Sequence, residues 1–294
     1  MKSIKNCPVC ENNNFDKLIS TIDYSTSKEF FDIVSCETCG FTITNPRPNR
    51  DEISNYYKSE KYISHTNNRE GLFNKIYQTV RVYTVRKKRI LLERISDKRN
   101  HLDIGCGTGE FLNECKKHGF SVSGVEPSET AKANAIKNYN LKIYDDLFSS
   151  ALKNNSYDSI SMWHVLEHVY DLNKTILKIK SLLKSKGRVI IAVPNHNSWD
   201  AKYYNKHWAA WDVPIHLWHF TRKSIESIFN KNGFKLIETK PMLFDSYYVS
   251  LLSEEYKTGK KNYIKSFFVA SISNIKAKIT NKEYSSLIYV FEKK

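Results

Sequence analysis

The chain has 294 residues, 40% of them hydrophobic, which is enough for one large domain with a smaller appendage. Its formal net charge of +15 is compatible with an anionic partner but is weak evidence for nucleic acid by itself. No apolar run reaches roughly 18 residues and the first ten residues lack the apolar core of a secretory signal. We therefore expect a cytoplasmic protein without a membrane span.

Four of the six cysteines form two Cys-x2-Cys pairs near the N-terminus. In a cytoplasmic protein this spacing is typical of a structural zinc site with four thiolate ligands rather than of disulfides. Short strands are predicted between the pairs, over 15–20 and 30–35. The sequence thus predicts a small zinc ribbon over residues 1–45, the alternative being four unrelated buried thiols. The predicted zinc ligands are Cys7, Cys10, Cys36 and Cys39.

Residues 46–98 have a helical pattern and are predicted to form a linker or cap, with helices near 51–58 and 70–97. The second helix carries a dense basic stripe. The stripe either contacts an anionic partner, such as phosphates or an acidic membrane surface, or it is a solvated helix face. The stripe consists of Arg81, Arg86, Lys87, Lys88, Arg89 and Arg94.

A glycine-rich turn follows the first strand of an alternating strand and helix pattern that begins near residue 100. The strand ends with Asp103-Ile104, and the turn contains Gly105, Gly107 and Gly109. Dinucleotide-binding folds place the third glycine five residues after the first, whereas here it comes one residue early, which disfavours a dehydrogenase. The next strand, over 121–125, ends at Glu126. This pattern resembles the class I S-adenosylmethionine (SAM)-dependent methyltransferases, in the group related to the ubiquinone-biosynthesis O-methyltransferases.

The resemblance implies an α/β fold with a Rossmann-like seven-stranded sheet of six parallel strands and one antiparallel strand, preceded here by the zinc ribbon and helical cap. The methyltransferase domain is expected over residues 99–294, with insertions at about 197–220 and 244–284. In related enzymes a helical segment such as 46–98 closes over the SAM site. Four residues of this segment are expected either to reach a substrate or to serve only in packing: Tyr56, Tyr57, Tyr62 and His65.

The resemblance also assigns SAM contacts. Asp103 is suited to the ammonium group, Glu126 to the ribose hydroxyls, and Asp146 to the adenine amino group, with Asp145 as a rival. An acidic pair before a helix is as often an N-cap. Glycines let the backbone pass close to the methionine tail because they have no Cβ. The predicted cofactor-binding set is Asp103, Gly105, Cys106, Gly107, Gly109, Glu126, Pro127, Asp146, Leu147, Trp163 and His164.

The remaining elements follow from pattern and end signals. Strands are predicted over 157–163 and 188–193, and the helix between them should end at Lys186-Gly187 because glycine suits a C-terminal cap. Thr221 is predicted to cap a helix over 222–231. The last two strands are expected over 234–239 and 286–291, the final one antiparallel in this family.

A histidine cluster follows the strand over 157–163 and allows three interpretations. In the first, the histidines are structural. In the second, one histidine removes a proton from a hydroxyl acceptor, and His168 is preferred over His164 for this role. In the third, a divalent ion is bound by His164, Glu167, His168 and His216. The third is similar to RNA 2′-O-methyltransferases that act on small-RNA ends, in which two Glu and two His hold magnesium. Here His164 stands in place of the first Glu. An imidazole nitrogen is a softer ligand than a carboxylate oxygen, so this set of residues is less suited to magnesium.

Four tryptophans crowd residues 199–220 and form either a packed insertion or a pocket for a sugar or phenol. We predict a SAM-dependent methyltransferase with a structural zinc, acting on a hydroxyl of a small molecule, sugar or glycan precursor. Two alternatives stay open: an RNA-modifying methyltransferase that binds RNA through the ribbon and basic helix, and a non-catalytic regulator that binds SAM and zinc. The acceptor and the oligomeric state are not determined by these patterns. The tryptophans are Trp199, Trp208, Trp211 and Trp218.

Overall fold

The computed structural model of the protein describes residues 1–57, 72–96 and 99–294. Its strands are β1 Phe15–Ile22, β2 Phe30–Cys36, β3 Thr42–Thr44, β4 Asn100–Ile104, β5 Ser121–Val125, β6 Lys142–Tyr144, β7 Tyr157–Trp163, β8 Leu183–Pro194, β9 Trp218–His219, β10 Phe234–Pro241 and β11 Ser286–Lys293. Its helices are α1 Leu72–Ile95, α2 Glu110–Lys117, α3 Glu129–Tyr139, α4 Leu172–Leu182, α5 Trp199–Tyr204, α6 Arg222–Lys231, α7 Asp245–Thr258 and α8 Tyr263–Ile279. Four short 3-10 turns lie at Ile53–Tyr57, Leu166–His168, Asn205–His207 and Ala209–Trp211.

The large sheet has seven strands in the order β10-β11-β8-β7-β4-β5-β6. Six run in one direction and β11 is antiparallel to both of its neighbours, which confirms the predicted fold class. Asp103 of β4 is in register with Gly124 of β5 and with Ser161 of β7. The carboxyl ends of these three parallel strands therefore meet at one edge of the sheet, where ligand sites form in open α/β folds.

The end of helix α1 covers one face of the sheet. Leu91, Leu92 and Ile95 pack in one cluster with Phe111 of α2 and Val290 of β11. These apolar contacts hold the helix against the domain that follows it. The predicted cap residues Tyr62 and His65 lie outside the described residues, as does the whole of 58–71.

Two boundary predictions were wrong. Helix α4 ends at Leu182, not at Lys186-Gly187, because the fully buried Leu183 already pairs with Tyr157 and strand pairing takes over there. Lys186, rather than Gly187, takes the left-handed conformation, with φ of 57°. The helix expected near 51–58 is a 3-10 turn. By contrast, Thr221 caps α6 as predicted, and its hydroxyl accepts a hydrogen bond from the Ser224 N–H.

The N-terminal ribbon is joined to the large domain by a shared sheet. The four-stranded sheet has the order β1-β2-β3-β9, so its last strand comes from the segment before α6. Ile43 pairs with Trp218, and Thr42 with His219. The guanidinium of buried Arg47 stacks between the rings of Tyr170 and Trp218, 4.5 Å from each centroid. The ribbon and the large domain therefore pack as one unit at this edge.

The segment between β10 and β11 forms two packed helices, α7 and α8. Gly259, with φ of 78°, ends α7 in the left-handed conformation that glycine adopts without strain. The buried side of α8 consists of small residues, including Ser266, Ala270 and Ser273. No helix among the described residues combines the length and the apolar character that crossing a bilayer requires.

Candidate active site

The glycine turn connects β4 to α2, and its three glycines differ in what a side chain at each position would meet. A Cβ on Gly105 would lie 2.4 Å from a Val165 methyl, and one on Gly109 would lie 2.6 Å from Leu141 Cδ1. Both positions are closed by protein. Gly107 has φ of 55°, and a Cβ there would meet no protein atom within 4 Å. Gly107 is therefore the point of the turn with open space for a ligand.

Glu126 is fixed against this turn. Its Oε2 accepts a hydrogen bond from the Gly107 N–H at 2.8 Å, and its Oε1 accepts one from the Ser128 N–H at 2.9 Å. The side chain is largely buried, so these contacts hold both oxygens in place. Each carboxylate oxygen has a second lone pair, which is suited to a hydroxyl donor.

Asp103 lies at the end of a buried polar chain. The Ser161 hydroxyl donates to Asp103 Oδ1 at 2.5 Å, and the two ring nitrogens of His101 contact Ser161 Oγ at 3.0 Å and Ser159 Oγ at 2.8 Å. Burial lowers the pKa of His101 to about 3, so its ring is neutral and donates through one nitrogen only. Burial raises the pKa of Asp103 to about 7, against the opposing effects of Ser161 and Lys88.

His101 and Ser161 were not predicted as site residues from the sequence. Their signal was weak but present, because Ser159 and Ser161 alternate on the strand over 157–163 and so point to the same side. Polar side chains on one face of a buried strand need partners. Their position next to Asp103 follows from the register of β4 with β7.

Lys88 projects from α1 toward the same carboxylate. Its ammonium lies 4.3 Å from the centroid of the Trp163 ring, and burial lowers its pKa while Asp103 and Asp245 raise it. The indole N–H of Trp163 is buried without a hydrogen-bond partner among the described residues. The Lys88 ammonium is therefore stabilised by an aromatic ring and by two nearby carboxylates.

Three arginines of the basic stripe form ion pairs within the protein. Arg81 pairs with Glu110 at 2.5 Å and Arg89 with Glu114 at 3.3 Å, and Arg94 forms an ion pair with Glu238. Guanidinium groups paired in this way are less available to phosphates. This reduces the support for the RNA-binding alternative.

The other predicted cofactor contacts differ in burial. Cys106 is buried, and Leu147 is buried beside β6, whereas Pro127 and Asp146 are exposed. Asp145 forms an ion pair with Lys132. Of the acidic pair after β6, Asp146 is thus the one without this internal ion pair.

His164 is held between two carboxylates. Its Nε2 lies 2.8 Å from Asp245 Oδ2 and its Nδ1 lies 3.3 Å from Glu167 Oε1, with the backbone in the left-handed region at φ of 57°. Burial alone would lower the pKa of His164, but Asp245 and Glu167 raise it to about 10. The imidazolium is protonated at neutral pH with both nitrogens engaged, so its contacts do not suit the predicted role of a base.

His168 has the opposite character. Burial holds the pKa of His168 below its ordinary value. Its Nδ1 lies 3.1 Å from the Ile215 carbonyl oxygen and 3.1 Å from Tyr57 Oη. A carbonyl accepts only, so Nδ1 carries the proton and Nε2 keeps the lone pair. The ring packs edge-on against His216, with centroids 4.6 Å apart.

The four residues of the divalent-metal interpretation are only partly assembled. Glu167, His168 and His216 each offer one ligand atom, and these atoms lie within 4.8 Å of one another. Glu167 is buried, and its Oε2 has no hydrogen-bond partner among the described residues. His164 is not in this group, because Asp245, which no sequence pattern indicated, engages its second nitrogen.

The four N-terminal cysteines come together as predicted. Sγ of Cys7 lies 3.5 Å from that of Cys39, and Sγ of Cys10 lies 3.5 Å from that of Cys36, with all four sulfurs within 4.8 Å of one another. Four thiolates around one zinc ion would be about 3.8 Å apart. None of them forms a disulfide. The cluster therefore has the size and donor set of a tetrahedral thiolate site.

The tryptophans of 199–220 are mainly packing residues. The indole N–H of Trp208 donates to Asp200 Oδ2 at 2.9 Å, that of Trp211 to the Asn205 carbonyl at 2.9 Å, and that of Trp218 to the Val169 carbonyl at 2.6 Å. All three side chains are buried. Three of the four predicted aromatic residues thus stabilise the segment rather than offer an open platform.

Comparisons with known proteins give the family. A family model described as a methyltransferase domain matches residues 75–239, more than half of the chain. An uncharacterised protein of Methanocaldococcus jannaschii is 29% identical over 160 residues, 53% of this chain and 64% of that protein. A ubiquinone biosynthesis O-methyltransferase of Bartonella tribocorum is 33% identical over 126 residues, 40% of this chain and 47% of that protein.

The matched region spans less than two thirds of these curated relatives. Among solved structures, a SAM-dependent methyltransferase from Archaeoglobus fulgidus has a TM-score of 0.50 and 19% sequence identity, covering 76% of this chain and 98% of that one, which supports the fold. The matched residues 75–239 include the glycine turn, Glu126 and the histidine cluster. The chain belongs to the methyltransferase-domain family of class I SAM-dependent methyltransferases.

Proposed function

We propose that the protein transfers the methyl group of SAM to a hydroxyl of a small molecule, sugar or glycan precursor. The observation that carries this proposal is that Asp103 and Glu126 lie at the carboxyl ends of adjacent strands, with Glu126 hydrogen-bonded to the open glycine Gly107. The relatives named as ubiquinone biosynthesis O-methyltransferases support transfer to oxygen.

In this proposal the chain binds SAM at the edge formed by β4, β5 and β7. Asp103 receives the ammonium group, Glu126 the ribose hydroxyls, and Asp146 the adenine amino group. The internal ion pair of Asp145 with Lys132 supports Asp146 over its neighbour. SAM supplies a methyl group already activated on a sulfonium, so the protein has to align the acceptor and exclude water.

His168 is the proposed base. As the acceptor oxygen bonds to the methyl carbon, the carbon–sulfur bond breaks and the acceptor proton passes to Nε2 of His168. The neutral ring and the Nδ1 contact to the Ile215 carbonyl suit this task. His164, paired with Asp245 and Glu167, is proposed to position this part of the site rather than to take a proton.

Methyl transfer is tested with isotopically labelled SAM and a panel of acceptors that differ in one group. Catechols and nucleotide-linked sugars provide hydroxyls, and matched amines provide nitrogen acceptors. We expect label in a hydroxyl product. Transfer to the amines alone would contradict the assigned oxygen chemistry, and SAM binding without transfer to any acceptor would favour a non-catalytic regulator.

A first prediction concerns the proposed base. His168→Gln removes the basic nitrogen at similar size, so the turnover number with the best hydroxyl acceptor is expected to fall about a hundredfold or more. SAM affinity should change less than about twofold, because His168 has no proposed contact with the cofactor. Steady-state kinetics and calorimetry measure the two effects. His118→Gln, an exposed histidine at the end of α2, serves as the control, and equal losses in both variants would remove the assignment.

A second prediction concerns pH. Because burial raises the pKa of Asp103 to about 7, the carboxylate that binds the ammonium is lost as the pH falls below that value. SAM affinity is expected to be highest between about pH 7 and pH 8, where the carboxylate is ionised and the ammonium keeps its proton, and to weaken about tenfold per unit below pH 7. Calorimetric titrations across this range measure it. Asp103→Asn should bind weakly and without this slope, whereas a wild-type slope in that variant would assign the ionisation to another group.

We also propose that Cys7, Cys10, Cys36 and Cys39 hold one structural zinc ion. The sulfur distances support a closed site with four thiolates, and among the described residues no fifth ligand joins the group. The backbone turns around each pair are alike, since Glu11 and Gly40 both follow a cysteine in the left-handed conformation and donate to the carbonyl of the first cysteine of their pair.

A further inference from the structure

The outer face of helix α8 is apolar although the helix packs on the protein. Six isoleucine and phenylalanine side chains of this face are between 41% and 74% exposed and recur mostly at spacings of three and four residues, so they form one stripe. We call them the α8 apolar face: Ile264, Phe267, Phe268, Ile272, Ile275 and Ile279.

The buried side of the same helix is made of smaller residues. Ser266, Ala270, Ser273 and Ala277 face the rest of the protein, with Val269 the largest of this set. A surface helix of a globular protein normally has the reverse arrangement, with its large apolar residues inward. A contiguous exposed apolar stripe of this kind indicates a surface that is covered in use.

Charge around the stripe indicates what covers it. Residues 259–282 contain six lysines and no aspartate or glutamate. Five of these lysines are exposed, and they stand before, along and after the helix: Lys260, Lys261, Lys276, Lys278 and Lys282. Large apolar side chains bordered by lysines are the pattern of helices that lie in the interface of an anionic membrane.

The apolar surface extends beyond α8 toward the candidate active site. Asn274 donates a hydrogen bond to the Leu243 carbonyl at 3.0 Å, and Leu243 and Phe244 are both exposed. Asp245, the partner of His164, follows directly. Phe267 also contacts the ring of Tyr247, with centroids 5.5 Å apart. The α8 apolar face therefore contacts α7, the helix whose Asp245 completes the histidine cluster.

We infer that the α8 apolar face docks the protein on the surface of a membrane that contains anionic lipids. A second copy of the chain fits less well, because pairing two such faces would place their lysine borders against each other. Anionic headgroups neutralise those lysines while the isoleucines and phenylalanines enter the acyl boundary. The inference does not depend on the reaction that the site performs.

Vesicle flotation of the intact 294-residue chain tests this docking. Wild-type protein is expected to float with vesicles of phosphatidylcholine and phosphatidylglycerol, to remain unbound with phosphatidylcholine alone, and to be released by high salt. Phe267→Ser/Phe268→Ser and Lys260→Glu/Lys261→Glu should each weaken partitioning about tenfold or more. Ile264→Ser/Ile279→Ser, at the helix ends, should do the same if the central variant folds poorly.

Matched controls separate this surface from general effects. Leu177→Ser/Ile136→Ser changes exposed apolar residues elsewhere, and Lys117→Glu/Lys223→Glu makes the same charge change away from α8, so both should float like the wild type. Unchanged SAM affinity verifies folding. Absence of wild-type flotation, equal loss in the controls, or a concentration-dependent dimer that the Phe267→Ser/Phe268→Ser variant dissociates would each overturn the membrane assignment.

Discussion

Glu126→Ala is expected to weaken SAM binding about a hundredfold or more, measured by isothermal titration calorimetry. Both oxygens of this carboxylate are fixed by backbone N–H groups of the glycine turn and of the residues before α3, so they are preorganised for two hydroxyl donors. A hydrogen bond to a charged group contributes about 1.5–3 kcal/mol, and two of them account for a change of this size. Asp103→Ala should have a similar effect, because it removes the counter-charge of the ammonium group.

The nearest matched control is Glu129→Ala. Glu129 lies one turn further along, is largely exposed and pairs with Lys132, so its removal should leave SAM affinity within about twofold. Glu126→Gln keeps the size and should lose less affinity than the alanine variant, because it keeps one acceptor oxygen. Wild-type affinity in both Glu126→Ala and Asp103→Ala would refute the proposed SAM site.

Cys36→Ser/Cys39→Ser is expected to remove the bound zinc and unfold the N-terminal ribbon while SAM binding is retained. Structural zinc sites supply much of the folding energy of small ribbons, and two thiolates do not replace four. The ribbon also supports the histidine cluster, because the Thr44 hydroxyl donates to the His216 carbonyl at 2.7 Å and β3 pairs with β9. Methyl transfer is therefore expected to fall about tenfold or more.

Zinc content by atomic emission, SAM affinity by calorimetry and transfer of labelled methyl measure the three effects separately. Cys115→Ala, a buried cysteine of α2, should keep stoichiometric zinc. One zinc ion per chain in the double variant would contradict the four-thiolate site. Full methyl transfer despite loss of zinc would mean that the ribbon does not support the catalytic face.

The parts of the protein that could be predicted from sequence depend on residues that are close along the chain. The glycine turn with Asp103, the acid at Glu126 and the two Cys-x2-Cys pairs each lie within or directly after one short element. Local spacing therefore predicted the sulfur cluster, and the glycine turn with its strand-end acids carried the resemblance to the family, which implied the sheet. The boundary of α4 was wrong because pairing of Leu183 with β7, a tertiary contact, outweighs the local cap signal of glycine.

The state of each histidine was decided by tertiary structure alone. His164 and His168 lie in one local motif, yet Asp245 from α7 keeps the first protonated, while burial keeps the second neutral. Protonation depends on the charges and the burial within a few ångströms, and those neighbours come from distant segments. The sequence determined which chemical groups stand at the edge of the sheet. Folding decided which of them carries a charge, and that the ribbon shares a sheet with the catalytic domain through β9.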